Sequence, residues 1–165
     1  VRHFLKGHVM QAVEMKSFTV HGLSVRTKNA NEMQTATAKI GQLWGDFYQH
    51  IIPKLKEASL SYGVYSQYES DFNGEFDVLA GADSASVEDA ADRNGLDTVV
   101  IAAGTYLVFS KKGAMPQAVI EAWGDVWAYF SAKDCPHQRA YTTDFEQYRS
   151  LSEMSEVDIY IAISK

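Results

Sequence analysis

A chain of 165 residues with 46% apolar composition is long enough to bury a core and is expected to form a single domain. Its formal net charge of −6 disfavours nucleic acid as a partner, because phosphates require a basic surface, and its one cysteine, Cys135, excludes an internal disulfide and fits a reducing, cytoplasmic setting. No apolar run is long enough to cross a membrane.

Residues 1–12 are expected to be an N-terminal extension, or a cloning remnant ahead of a start at Met10, and they lack the apolar core of a signal peptide. Residues 13–165 are expected to be the domain. Phe18–Thr27 predicts a first strand, with Gly22 permitting a bend. The polar stretch 28–37 follows. A helix is predicted over 38–52, ending at Pro53, because Ile40, Leu43, Trp44, Phe47, Tyr48 and Ile51 recur at three- and four-residue spacing. Residues 62–71 predict a strand, Asn73-Gly74 a two-residue hairpin turn, and 76–82 the return strand. The acidic stretch 82–94 reads as a connector with a short helical turn. Strands are predicted at 98–101 and 104–110. Pro116 then suits the first turn of a helix reaching Ala132, with Ile120, Trp123, Val126, Trp127 and Phe130 on one side.

Two last strands close the chain. Over 143–148, alternation turns Phe145 to the core and puts Asp144, Glu146 and Tyr148 on the opposite face. Over 157–163, Val157, Ile159, Ile161 and Ile163 share one face and Asp158, Tyr160 and Ala162 the other. Two carboxylates and two tyrosines are thereby expected to gather on one side of the pair.

The order strand, helix, strand, strand occurs twice, in halves of about 13–82 and 97–164. Trp44-Gly45-Asp46 matches Trp123-Gly124-Asp125, and Tyr68-Glu69 parallels Phe145-Glu146. Each half exposes one sheet face and cannot close a core alone. Joined, they predict an α+β fold: a mostly antiparallel sheet with two helices on one face and a cleft between the halves on the other face. A pseudo-twofold axis would bring Glu69 and Glu146 to that cleft from opposite sides.

Glu146 is the leading candidate for a binding role. A carboxylate in an apolar cleft costs free energy unless paired, an incoming cation supplies the missing charge, and each ring face adds about 0.5–2 kcal/mol. For Glu69 a rim ion pair explains the residue equally well. Trp44, Trp123 and Trp127 sit on helix stripes, where core packing is the ordinary role and a ring edge alone need reach the cleft. No nucleophile–base triad and no metal-ligand spacing occurs, so no catalytic residue, metal or cofactor is expected.

The stretches 18–26, Leu43-Trp44, Tyr62-Gly63-Val64-Tyr65, Tyr68-Glu69-Ser70-Asp71, 103–109, 123–130, Asp144-Phe145-Glu146-Gln147-Tyr148 and 158–163 together resemble the gyrase-inhibitory-protein-like (GyrI-like) family. That family shares its fold with the effector-binding domains of AraC-type and multidrug-sensing regulators. The resemblance implies a duplicated strand-helix-strand-strand unit with a ligand cleft between halves. It also implies that Glu146 matches the glutamate that meets lipophilic cations in drug-sensing relatives, with Tyr160, Tyr65 and Tyr148 as aromatic partners. The family carries a proline where Ala162 stands here. A stand-alone module of the kind found in bacterial mobile gene cassettes is expected. Three functions follow: a non-catalytic binder of amphipathic cationic small molecules; a hydrolase of strained electrophiles with Glu146 as base and Tyr160 or Tyr65 as acid; or a protein-interaction module such as a gyrase modulator.

Overall fold

Two residues separate one edge strand of the sheet from a strand six places away, and this short connection shapes the fold. In a computed structural model, which describes residues 2–5, 8–55, 60–84, 86–87, 95–151 and 154–164, the elements are β1 (Arg2–Leu5), β2 (His8–Met15), β3 (Phe18–Thr27), α1 (Asn29–Glu32), α2 (Ile40–His50), β4 (Ser61–Ser66), β5 (Phe76–Asp83), β6 (Asp97–Ile101), β7 (Gly104–Gly113), α3 (Gln117–Ser131), β8 (Asp144–Leu151) and β9 (Met154–Ala162). The strands form one antiparallel sheet in the order β1-β2-β7-β9-β8-β4-β5-β3-β6. The fold is α+β.

On a flat sheet β6 and β7 would lie about 29 Å apart, at roughly 4.8 Å per strand. The link through Ala102 and Ala103 spans only about 10 Å. The sheet therefore curls on itself. Val20, Val64, Leu79, Ile101, Tyr106 and Phe145, drawn from strands across its width, meet in one buried cluster on the inner face. The Tyr106 hydroxyl donates to the Ala102 carbonyl at 2.5 Å, and Ala102 N–H donates to Thr143 Oγ1 at 3.0 Å, which locks the link. Gly22 and Gly81 face each other in β3 and β5. A Cβ on Gly22 would fall 2.0 Å from the Ala80 carbonyl oxygen, so the sharp bend there needs glycine.

The strand order is symmetric about the β4–β8 pair: β4-β5-β3 on one side and β8-β9-β7 on the other. Gly63 pairs with Glu146 at the centre. Placing Gly63 on Glu146 carries Tyr65 onto Tyr148 and Tyr62 onto Phe145. Followed along the ladders, it carries Phe18–Thr27 onto Gly104–Gly113. Each half sends its helix to the outer face of the sheet. There α2 buries Leu43 and Phe47, with Ile51 just past its end, against Phe76, Val78 and Ala80, and α3 buries Ala122, Val126 and Tyr129 against Phe109, Ile159 and Ile161. Each fully buried large apolar side chain contributes about 1.5–3 kcal/mol.

Three expectations are corrected. Residues 1–12 do not all lie outside the fold, because β2 pairs with β7 from Gln11 opposite Val108 to Met15 opposite Gly104. Asn73-Gly74 does not make a two-residue hairpin, since β4 ends at Ser66 and β5 starts at Phe76. The Asp71 carboxylate accepts Asn73 N–H at 2.9 Å and Glu69 N–H donates to the Glu75 carbonyl at 2.8 Å, so local side-chain bonding closes a wider loop. The predicted helix over 38–52 begins at Ile40, where the Glu32 carboxylate takes the N–H groups of Lys39 and Ile40. Within the acidic connector, residues 85 and 88–94 lie outside the described residues.

Candidate functional site

Alternation along the two central strands decides what the helices look down upon. β4 turns Gly63 and Tyr65 toward them, and β8 turns Asp144, Glu146 and Tyr148 the same way. Between α2 and α3 this surface opens into a cleft of about 1290 Å³. The expected cleft on the face opposite the helices is therefore corrected: it lies on the helix face, because the curl of the sheet fills the inner face with side chains.

Glu146 is at the floor and only 2% exposed. Its Oε2 accepts Trp123 Nε1–H at 2.6 Å and the Tyr65 hydroxyl at 2.9 Å, and its Oε1 accepts the Tyr148 hydroxyl at 2.7 Å. Tyr65 and Tyr148 are equivalent under the pseudo-twofold, so one phenol from each half grips one carboxylate. Trp44 stands on α2 as Trp123 stands on α3, and its ring packs on Tyr148 with centroids 5.2 Å apart, as Trp123 packs on Tyr65 at 5.2 Å. The mate of Glu146 is Gly63, not Glu69. A Cβ there would lie 2.5 Å from Glu146 Oε1 and 3.0 Å from Trp44 Cζ2. One half supplies the carboxylate and the other leaves the space for it. Gly63→Ala is accordingly expected to cost about 1–3 kcal/mol of stability, because a carboxylate held by three hydrogen bonds and a packed indole must both move. Urea unfolding measures it, and an unchanged midpoint would show that the floor yields freely.

Burial pushes the Glu146 carboxyl pKa above its ordinary value, and the bonds from Trp123, Tyr148 and Tyr65 offset part of that rise. Burial, with the adjacent Glu146 charge, pushes the Tyr65 and Tyr148 hydroxyls well up, so both remain protonated donors at neutral pH. Among the described residues no Lys, Arg or His forms an ion pair with Glu146. Asp144, two positions away on the same face, is the contrast. It is 0% exposed, and it accepts Arg139 Nη2–H at 2.8 Å, the Tyr68 hydroxyl at 2.5 Å and Ala162 N–H at 2.9 Å. A proline at 162 would have no N–H to give, so Ala162 has a structural use here.

Of the residues singled out by sequence, Glu146, Tyr65, Tyr148, Trp44, Trp123 and Trp127 line the cleft. Tyr160 does not reach it. Phe145 pairs with Tyr160 and Glu146 with Ile159, so Tyr160 stacks on Phe145 at 4.4 Å on the inner face. Glu69 is exposed in the β4–β5 loop, where its carboxylate faces Glu75 N–H. Sequence reasoning missed the rim. Met33, Tyr48, Phe72 and Ile120 are large apolar side chains left in water around the cleft mouth, and the ring of Phe72 lies edge-on to Trp127 at 5.3 Å. It also missed the donor role of Trp123, for which the signal was available: a half-buried indole N–H usually finds an acceptor.

Residues 11–163 match the model of the integron-associated effector-binding proteins. The chain belongs to this family. An integron cassette protein from the mobile metagenome of Vibrio cholerae, VCH_CASS2, is 45% identical over 94% of this chain and 95% of its own, with a TM-score of 0.84. Two more distant structures share the fold. SAV2435, solved bound to tetraphenylphosphonium, is 21% identical over 92% of this chain and 93% of its own, with a TM-score of 0.69. A putative bacterial transcription regulation protein from Staphylococcus aureus is 19% identical over 93% and 97%, with a TM-score of 0.66. Among curated proteins none matches the chain.

Proposed function

We propose that the cleft binds an amphipathic organic cation, with the positive charge against Glu146 and the apolar body between the indoles of Trp44, Trp123 and Trp127. One observation carries this reading: among the described residues Glu146 is a buried carboxylate contacted by neutral donors alone, beneath an aromatic-walled opening. Such a group is solvated well enough to stay in place and lacks the countercharge that would satisfy it. The ring faces add attraction for a cation that a neutral body would not feel. The volume suits a multi-ring ligand. SAV2435, of the same fold, holds tetraphenylphosphonium, and among the described residues no helix is long and apolar enough to cross a membrane. Of the two tyrosines that a hydrolase would use as acid, Tyr160 stands on the opposite face of the sheet from Glu146.

The test is calorimetric titration of tetraphenylphosphonium against an uncharged isostere, repeated over pH. The cation needs Glu146 ionised. Its affinity is expected to be constant at high pH and to fall as pH drops through the carboxyl pKa of the free protein, which burial sets above the ordinary value. Each pH unit below that point should cost about tenfold. The neutral isostere should show no such fall. Matching pH profiles for the two ligands would remove Glu146 from recognition.

A further inference from the structure

A smaller hollow of about 150 Å³ adjoins the cleft, and six aromatic side chains line it: Tyr65, Tyr68, Phe72, Phe76, Trp123 and Trp127. Phe76, on β5, is the most buried of the six, and the rings of Tyr65 and Tyr68 lie 5.8 and 5.9 Å from it. Trp123 meets Tyr65 edge-on at 5.2 Å, and Phe72 meets Trp127 edge-on at 5.3 Å. Ile40, Tyr65, Phe72, Trp123 and Trp127 also line the main cleft. Phe72 and Trp127 are exposed, so the two spaces share a wall and a mouth. The Tyr65 phenol runs from that wall to Glu146, which places the hollow one ring's length from the carboxylate.

The polar ends of these walls are engaged inside the protein. The Tyr65 hydroxyl and Trp123 Nε1–H donate to Glu146, and the Tyr68 hydroxyl and the Arg139 guanidinium donate to Asp144. Asn29 Nδ2–H donates to the Phe72 carbonyl at 2.8 Å, and the Glu32 carboxylate accepts the Thr27 hydroxyl and the N–H groups of Lys39 and Ile40. The hollow therefore offers a guest chiefly ring surface. An apolar cavity of about 150 Å³ takes one benzene ring. Aromatic walls favour an aromatic guest over an aliphatic one, because rings gain from edge-on and offset contacts.

We propose that this hollow is an aryl subsite, so that the effector is an amphipathic cation carrying one phenyl-sized ring on a short tether from its charged centre, with its larger apolar body in the main cleft. This rests on the reading that the cation sits at Glu146. A fused second ring exceeds the volume. A polar arm is the wrong class, because the groups that would receive it are already bonded.

The probes are octyltrimethylammonium and its analogues in which one methyl is replaced by benzyl, cyclohexylmethyl or 1-naphthylmethyl, titrated calorimetrically into the wild-type protein and Phe76→Leu. Ratios are read within each protein, so a general change in stability cancels. In the wild type, benzyl should bind about tenfold more tightly than methyl, the lower end for burying a ring of that size. Cyclohexylmethyl and 1-naphthylmethyl should each fall short of benzyl, the first for want of ring contacts and the second for want of room. Phe76→Leu takes away the buried ring and deepens the hollow, so the benzyl advantage should shrink and 1-naphthylmethyl should overtake it. A benzyl-to-methyl ratio near one, a naphthylmethyl cation that binds the wild type as tightly as benzyl, or an order unchanged in Phe76→Leu overturns the subsite and leaves the Glu146 reading standing. A wild type that binds none of these cations overturns both. Should Phe76→Leu fail to fold, proton–proton Overhauser contacts in the wild-type complex decide. The benzyl ring should contact Phe76 and Tyr68, which line the hollow and not the main cleft. Contacts to Met115, Val119 and Ile120 in their place, residues of the main cleft alone, refute the proposal.

Discussion

Arg139→Ala is expected to destabilise the protein by about 3–5 kcal/mol, the range for removing one partner of a buried ion pair. Asp144 has no exposure to water and keeps only the Tyr68 hydroxyl and Ala162 N–H once the guanidinium is gone. The substitution also empties the space over Tyr141 that the arginine stem and guanidinium fill. Because Ala162 ends β9 and Asp144 begins β8, the strained carboxylate sits where two central strands close. Denaturant unfolding reads the loss directly. The double variant Arg139→Ala/Asp144→Asn should recover part of it, since no charge is then left buried. A single-variant loss below about 1 kcal/mol, the scale of an exposed pair, would mean that water reaches Asp144 in the folded state.

Glu146→Gln is expected to weaken a lipophilic cation by about 1–3 kcal/mol, roughly 10- to 100-fold, and to leave an uncharged isostere nearly unaffected. Glutamine fits the same bonds. Its oxygen can accept from Trp123 Nε1–H and Tyr65, which share Oε2 in the native site, and its amide can donate to Tyr148, whose hydroxyl is free to turn. The charge is then the main thing removed. Stability supplies an independent reading. Because burial raises the folded-state pKa of Glu146, the group contributes stability that is full below its unfolded-chain pKa and lost as pH rises through the folded value. The glutamine variant should lack that loss and be at least as stable as the wild type at neutral pH. Thermal unfolding across this window, set beside calorimetry of the two ligands, checks both halves. Equal weakening of the cationic and neutral ligands would make Glu146 a structural residue, and no weakening of either would place the effector elsewhere.

The tests separate because the two carboxylates differ in their partners, not in their burial. Asp144 and Glu146 occupy the same face of one strand, and alternation by itself treats them alike. Arg139 reaches Asp144 across only four intervening residues, whereas the donors to Glu146 come from β4, β8 and α3. Which carboxylate is paired with an arginine and which is held by neutral donors is a fact of packing.

Periodicity alone determined the helix stripes, the alternation on β8 and the order strand, helix, strand, strand repeated in each half, because these depend on neighbours within a few residues. The same alternation put Glu146 beside Tyr148. Tertiary structure decided the rest. The register of β8 on β9 sent Tyr160 to the inner face, since a shift of one residue exchanges faces. The register of β4 on β8 made Gly63 the partner of Glu146, where the repeated Tyr68-Glu69 motif had pointed to Glu69. The short link from β6 to β7 curled the sheet, filled its inner face and left the helix side as the place for a cleft. Pairing register and chain closure arise from contacts between residues far apart in the sequence, and no local pattern carries them.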